Sequence, residues 1–224
     1  LFVFSKSFVL TSFSAKLPAT AACTMKLLAV ALYTYKGTEV EPICIGFAAE
    51  LSSFGYFQRG SVKELLSFTS KTIVQRTQPG QRQTVKQEDY FCHVHVKDSG
   101  IAGVAVCDRD YPTIAAFSVV GKAIEEFLQA AGDSWRTAAA DNTAALQVLE
   151  AALLKYQDPV AADKLTKIQK DLDETKVILH QTIDSVLKRG EKLDTLVDKS
   201  ADLSLASQMF YKQARKTNSC CKMM

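Results

Sequence analysis

No window of about 18 apolar residues free of charge occurs among the 224 residues, so the sequence holds no candidate for a transmembrane helix. Charge of one sign is also scarce. A formal balance of +3 is too mild to point to nucleic acid. Cysteines are too scattered for a disulfide framework: Cys23, Cys44, Cys92 and Cys107 are far apart, and Cys220 and Cys221 adjoin at the end. Such usage suits a reducing compartment, with the cytosol as the expected one. There is no Gly-rich phosphate loop, no nucleophile elbow and no Cys-x-x-Cys. Catalysis is therefore not expected, nor is a cofactor.

Two constellations could still carry chemistry, and neither is complete. His93 and His95 flank Val94 in a strand-like run and would share one face, while Cys92 points the other way. A metal would want a third and fourth ligand, so no metal is expected and the pair reads as a solvated strand face. Asp108 and Asp110 flank Arg109 in a turn, where carboxylates are common.

What is present is an ordinary apolar share of 47%, enough for one domain plus an appendage. Residues 1–24 contain no acid, carry Lys6 and Lys16, and are rich in Ser, Thr and Phe. They read as an extension outside the fold, or alternatively as a transit or signal segment. From Met25 the pattern becomes regular. Strands are expected over Lys26–Tyr35 and Ile43–Leu51. A helix follows from Ser61, with Glu64 at the capping-box position, to about Arg76. Three more strands are expected at Gln83–Gln87, Tyr90–Lys97 and Ile101–Cys107, the last two joined by the Asp98-Ser99-Gly100 turn. Pro112 opens a second helix, and Asp141 or Asn142 caps a third that reaches about Tyr156. Helices segregated from an antiparallel sheet make an α+β fold over 25–156. A linker is expected at 157–162, where Asp158-Pro159 breaks the pattern.

Beyond the linker, at 163–217, the period changes. Leu165, Ile168, Leu172, Leu179, Val186, Leu193, Leu196, Leu203, Phe210 and Ala214 alternate at spacings of three and four, the a/d register of a coiled coil. Arg189 occupies a seam position in the middle. A buried guanidinium costs several kcal/mol unless acceptors meet it, so partners are expected to supply them. A long helix with a seam and no internal partner of similar length awaits other chains. On the helix from Ser61, Phe68 lies well off the apolar face. Together with Phe54, Tyr56 and Phe57 it forms a candidate contact patch.

The last residues, 218–224, hold the sharpest motif. Cys221-Lys222-Met223-Met224 fits the C-a-a-X box, whose terminal Met favours farnesyl, and Cys220 is a second thiol open to palmitoyl or a second prenyl group. One prenyl chain holds a membrane only marginally, and a second lipid makes the anchor stable. Lys212, Arg215, Lys216 and Lys222, with no acid after Asp202, add attraction to anionic lipid.

The run from Asp173 through Arg189-Gly190-Glu191-Lys192-Leu193 to Phe210-Tyr211-Lys212 resembles the motif of the R-SNAREs. The Asn218-Ser219-Cys220-Cys221 ending resembles their prenylated longin members of the Ykt type. Ser52-Ser53-Phe54, Phe57-Gln58-Arg59, Tyr90 to Val96 and Ala102-Gly103-Val104 carry the likeness into the front half. The resemblance covers Met25 to Met224. Lys222 departs from it, standing where the family has an aliphatic residue, and residues 1–24 have no counterpart. The resemblance implies a profilin-like longin domain, a five-stranded antiparallel sheet with helices on both faces, followed by a long SNARE coiled-coil helix. It implies no enzyme but fusion of membranes through a four-helix bundle with three Gln-SNARE helices, Arg189 at the central ionic layer and the seam residues in the layers beside it. It implies further that the longin domain folds over the SNARE helix and lipid, with Phe68 on the closure surface. The place of action would be the cytoplasm and the cytosolic face of Golgi, ER-derived vesicle and endosomal or vacuolar membranes. A longin-type adaptor or tether that regulates transport without entering a bundle is the alternative.

Overall fold

The computed structural model describes residues 26–87, 89–132, 134–136, 142–157, 161, 164 and 177–220. Strands β1 (Leu27–Thr34) and β2 (Ile43–Ala49) form a hairpin, followed by helix α1 (Arg59–Arg76). Then come β3 (Arg82–Gln87), β4 (Tyr90–Val96) and β5 (Ile101–Asp108), and helices α2 (Thr113–Ala131) and α3 (Thr143–Lys155). The C-terminal region adds β6 (Val177–His180), α4 (Leu193–Lys199) and α5 (Leu205–Cys220). The sheet order is β2-β1-β5-β4-β3-β6. All pairings are antiparallel except β3 with β6, which is parallel.

The α+β class and the five antiparallel strands stand where the sequence pattern placed them. The sheet nevertheless has six strands, because the C-terminal region contributes one. Strands β1 and β5 are central and buried on both faces, so they read as continuous apolar runs rather than alternations. Their residues still sort by face. Val30, Leu32, Ile101 and Ala105 pack under α2 and α3. Ala29, Ala31, Tyr33, Ala102 and Val104 pack on the α1 side. Gly103 marks the closest approach of α2: a Cβ there would lie 2.7 Å from Val120 Cγ1. Asn142 caps α3 as expected, its side chain accepting from the Ala144 and Ala145 N–H groups.

Three expectations are corrected. Helix α1 starts at Arg59, ahead of Ser61, and Glu64 makes no capping box but bonds the C-terminal segment. His93 does not face solvent, and His95 is half-buried. Helix α2 covers that end of the sheet, the His93 ring meets Phe117 edge-on at 5.3 Å, and His93 is 1% exposed. Finally, the long uninterrupted helix over 163–217 is not what residues 177–220 form. They break into strand, 3-10 turn and two helices, with bends around Gly190 (φ +90°) and Ser200–Leu203. An isolated seam leaves its apolar side wet, and the chain instead buries it on the α1 face.

Candidate functional site

The C-terminal segment runs back over α1 and the sheet, and this contact surface is the candidate site. It begins at the sheet edge, where β6 pairs with β3 from Arg82↔Val177 to Val85↔His180. Next, Ile183 is buried in a 3-10 turn whose Asp184 carboxylate accepts the Leu193 N–H at 3.0 Å and so ties the turn to the start of α4. Helix α4 buries Leu193 (5% exposed) and Val197 (1%) in the core shared with Ile73, Val74, Val94 and Val104. Leu203 follows, also buried. Each of these side chains is worth about 1.5–3 kcal/mol when fully withdrawn from water.

Polar links flank the apolar contact. Arg76 Nη2 donates to both carboxylate oxygens of Glu191, at 3.2 and 3.0 Å. Lys71 bridges Asp202 and Glu41, each at 2.7 Å. Burial works against the Lys71 charge, but its bonds to Asp202 and Glu41 outweigh that and hold its pKa above the ordinary value. Lys188 reaches Glu39 at 3.2 Å on the exposed rim, where a pair contributes little.

The tightest link is at Glu64. Its Oε2 accepts from the Ser207 hydroxyl at 2.7 Å, the Ser204 hydroxyl at 2.8 Å and the Ser204 N–H at 3.0 Å. The Ser207 bond foremost holds the carboxyl below its ordinary pKa, against a smaller opposing effect of burial. Ser207 itself is fully buried. Within the segment, Tyr211 donates to Asp194 at 2.8 Å, Arg215 pairs with the same carboxylate, and Lys212 meets Asp198 at 2.8 Å, which clamps α5 to α4.

Between α1 and α5 lies an apolar groove of about 260 Å³. Val62, Leu65 and Leu66 line it from α1, Tyr90 and Phe91 from β4, and Phe210, Tyr211 and Ala214 from α5, with Phe54 at its margin.

The seam residues meet different fates. Leu193 and Leu203 are buried, Val186 and Leu196 half-buried, and Phe210 and Ala214 border the groove. Leu179 remains 58% exposed on β6. Arg189 sits exposed in the turn before Gly190, with no hydrogen bond or ion pair among the described residues. Phe68 is half-buried on α1, against the core and beside Cys44, Phe47 and Lys71. Leu165, Ile168, Leu172 and Cys221 lie outside the described residues, and Cys220 is the last residue of α5. Sequence reasoning missed Ile183, Val197 and Tyr211, together with the partners Glu64, Lys71 and Arg76. The available signal was that Ile183 and Val197 are apolar yet off the a/d spacing.

Among the described residues no cluster of His, Cys, Asp or Glu could hold a metal, and no helix is long and apolar enough to cross a membrane. Two family patterns match the chain: the regulated-SNARE-like longin domain over residues 51–148 and synaptobrevin over 164–224. Full-length relatives decide the matter. The VAMP-like protein YKT61 of Arabidopsis thaliana is 50% identical over 200 residues, spanning 89% of this chain and 100% of the relative. The chain belongs to the Ykt6 group of longin-bearing synaptobrevin homologues. The synaptobrevin homolog YKT6 of Eremothecium gossypii is 44% identical over 202 residues, 89% of this chain and all of the relative. That of Schizosaccharomyces pombe is 44% identical over 198 residues, 88% and 98% of the two chains. The longin match takes in α1, β3–β5, α2 and the start of α3, and the synaptobrevin match takes in the segment folded over α1. The family acts in vesicle trafficking through SNARE partner helices and is not enzymatic.

Proposed function

We propose that this chain is an R-SNARE that drives membrane fusion by zippering with three Gln-SNARE helices, and that the fold-back of its SNARE segment on the longin domain holds it inactive. The observation that carries this reading is the double demand on one set of side chains. Leu193 and Leu203 occupy bundle-seam positions by spacing and are buried against the longin core. They cannot fill both places, so closure and bundle formation compete for the same apolar surface. Arg189 supports the same reading from the other side: it is exposed, with no acceptor among the described residues, and three glutamines in a bundle would supply what it lacks.

The lipid reading belongs to the same mechanism. A prenyl group on Cys221, with palmitoyl or a second prenyl group on Cys220, would anchor the protein peripherally on cytosolic membrane faces. The apolar groove beside Phe210 and Ala214 offers that lipid a place when the protein is closed and in the cytoplasm. Phe68, in the α1 surface next to the fold-back, would tune closure.

Mixing the 160–217 fragment with three Gln-SNARE helices tests the bundle. A denaturant-resistant complex, weakened by Arg189→Ala, is expected. A fragment that stays monomeric refutes the bundle and leaves the adaptor reading. Cys221→Ser is expected to move the protein to the soluble fraction, and unchanged membrane recovery would sink the anchor.

A further inference from the structure

The loop ahead of α1 presents two aromatic rings to solvent and does so rigidly. Tyr56 is 79% exposed and Phe57 95%, and their rings meet edge-on with centroids 5.5 Å apart. Rings this exposed usually belong to a slack segment, but here hydrogen bonds tie the chain on both sides of them. The Arg59 side chain donates to the Phe54 carbonyl at 3.0 Å and to the Ser52 carbonyl at 3.1 Å. The Gln58 and Arg59 N–H groups donate to the Gly55 carbonyl, the Phe54 N–H to the Leu51 carbonyl, and the Ser52 N–H to the Glu50 carboxylate. The ordering entropy of the loop has therefore been spent before any partner arrives.

The position of this knuckle says what covers it. Along α5 the residue numbers rise as those of their α1 partners fall. Asp202, just ahead of the helix, meets Lys71; Ser204 and Ser207 meet Glu64; Ala214 shares a groove with Val62 and Phe54. The two helices are antiparallel, so the Cys220 end of α5 lies toward the start of α1, the end of the molecule that carries Tyr56 and Phe57. Two rings bury about 300–500 Å², far below the roughly 1,200 Å² of a stable protein interface. That area suits an auxiliary contact added to an anchor already at hand. Tyr, with an apolar body and a polar tip, is the residue type enriched where hydrocarbon meets water. Arg59 and Lys63, both exposed, follow the rings in the chain and add positive charge that lipid phosphates attract.

We infer that the Tyr56–Phe57 knuckle is a membrane-contact site that enters the headgroup region of a bilayer beside the C-terminal anchor. The inference rests on the anchor reading only for its location. A site of this kind gives the protein an orientation on the membrane it meets.

The test uses the lipid-modified full chain, carrying Phe57→Trp, bound to vesicles of phosphatidylcholine with one-third phosphatidylserine. Native Trp135 is buried (3% exposed) and serves as a silent background in the parent protein. The expected result is a blue shift of the emission from the introduced indole and its quenching by brominated lipid. Emission unchanged up to millimolar lipid overturns the inference. In a second arm the lipid-modified chain is released from the same vesicles. Tyr56→Ser with Phe57→Ser is expected to speed release about tenfold, equivalent to about 1.4 kcal/mol, with Tm unchanged because both side chains are exposed. Equal release rates also overturn it. Cys221→Ser reports on the anchor separately, so a failed anchor and a failed knuckle give different outcomes.

Discussion

Replacing Glu64 with Ala tests closure at its most connected point. The substitution removes one acceptor that serves three donors: the Ser204 N–H and the hydroxyls of Ser204 and Ser207. A hydrogen bond to a charged group contributes about 1.5–3 kcal/mol. Ser204 is exposed, so water recovers most of its share. Ser207 is buried, and its hydroxyl keeps only the Ser204 oxygen, 3.0 Å away, as a partner, at a cost of about 1–3 kcal/mol. Together the closed arrangement loses about 2–4 kcal/mol, a roughly thirtyfold to thousandfold rise in opening. Helix α1 itself does not suffer, since Ala is the better helix former. Amide hydrogen exchange measures this directly: protection across α5 is expected to fall by that factor while β1 and β5 keep theirs. Unchanged protection in α5, or equal loss in β5, refutes the latch. The same carboxylate sets a pH signature. Its pKa in the closed protein lies below the ordinary 4.5, so its contribution is complete above that value and is lost as pH falls through the lowered pKa. The Ala variant lacks that acid step.

Other outcomes follow from the same contacts. Arg76→Ala leaves the Glu191 carboxylate with only the Lys188 N–H as a partner and is expected to speed trypsin cleavage at Lys188–Arg189 several-fold; an unchanged cleavage rate means the pair does not hold the turn. Gly103→Ala places a Cβ 2.7 Å from Val120 Cγ1, an overpacking cost of about 1–3 kcal/mol that lowers Tm by roughly 3–10 °C. His93 falls by burial from 6.5 to about 4. Its neutral ring supports the fold fully above 6.5, and that support declines as pH drops toward 4. The loss between pH 7 and 5 is on the order of 2 kcal/mol, with half-buried His95 acting in the same direction. Urea midpoints at the two pH values measure the loss, and His93→Gln flattens it.

Local chemistry was legible wherever one principle governed a segment. The Asp98-Ser99-Gly100 turn, the Asn142 cap and the five antiparallel strands all depend on neighbours within a few residues. The errors lie where a distant segment competes for the same group. Glu64 looks like a capping residue because Ser61 precedes it by three, but Ser204 and Ser207, 140 and 143 residues on, are the better donors. His93 and His95 look solvated because a strand face with two histidines is polar, yet α2 carries a wide apolar face that had to cover something. The heptad seam was legible as a sticky surface, but spacing cannot say which surface it sticks to. In the single chain the longin core is always at hand, and Ile183 and Val197, off the seam, join Leu193 and Leu203 to fit that core rather than a bundle.

The parallel pairing of β6 with β3 has a consequence of its own. If the synaptobrevin segment leaves as proposed, the sheet loses its outermost strand and β3 becomes a bare margin from Arg82 to Gln87. Unpaired strand margins recruit other chains, and charged side chains along them are a common deterrent. Arg82 and Lys86 stand on this one. Each release of that kind would create a short-lived adhesive border as well as a free helix-forming arm, a border to be re-covered or given a tenant before another copy takes it.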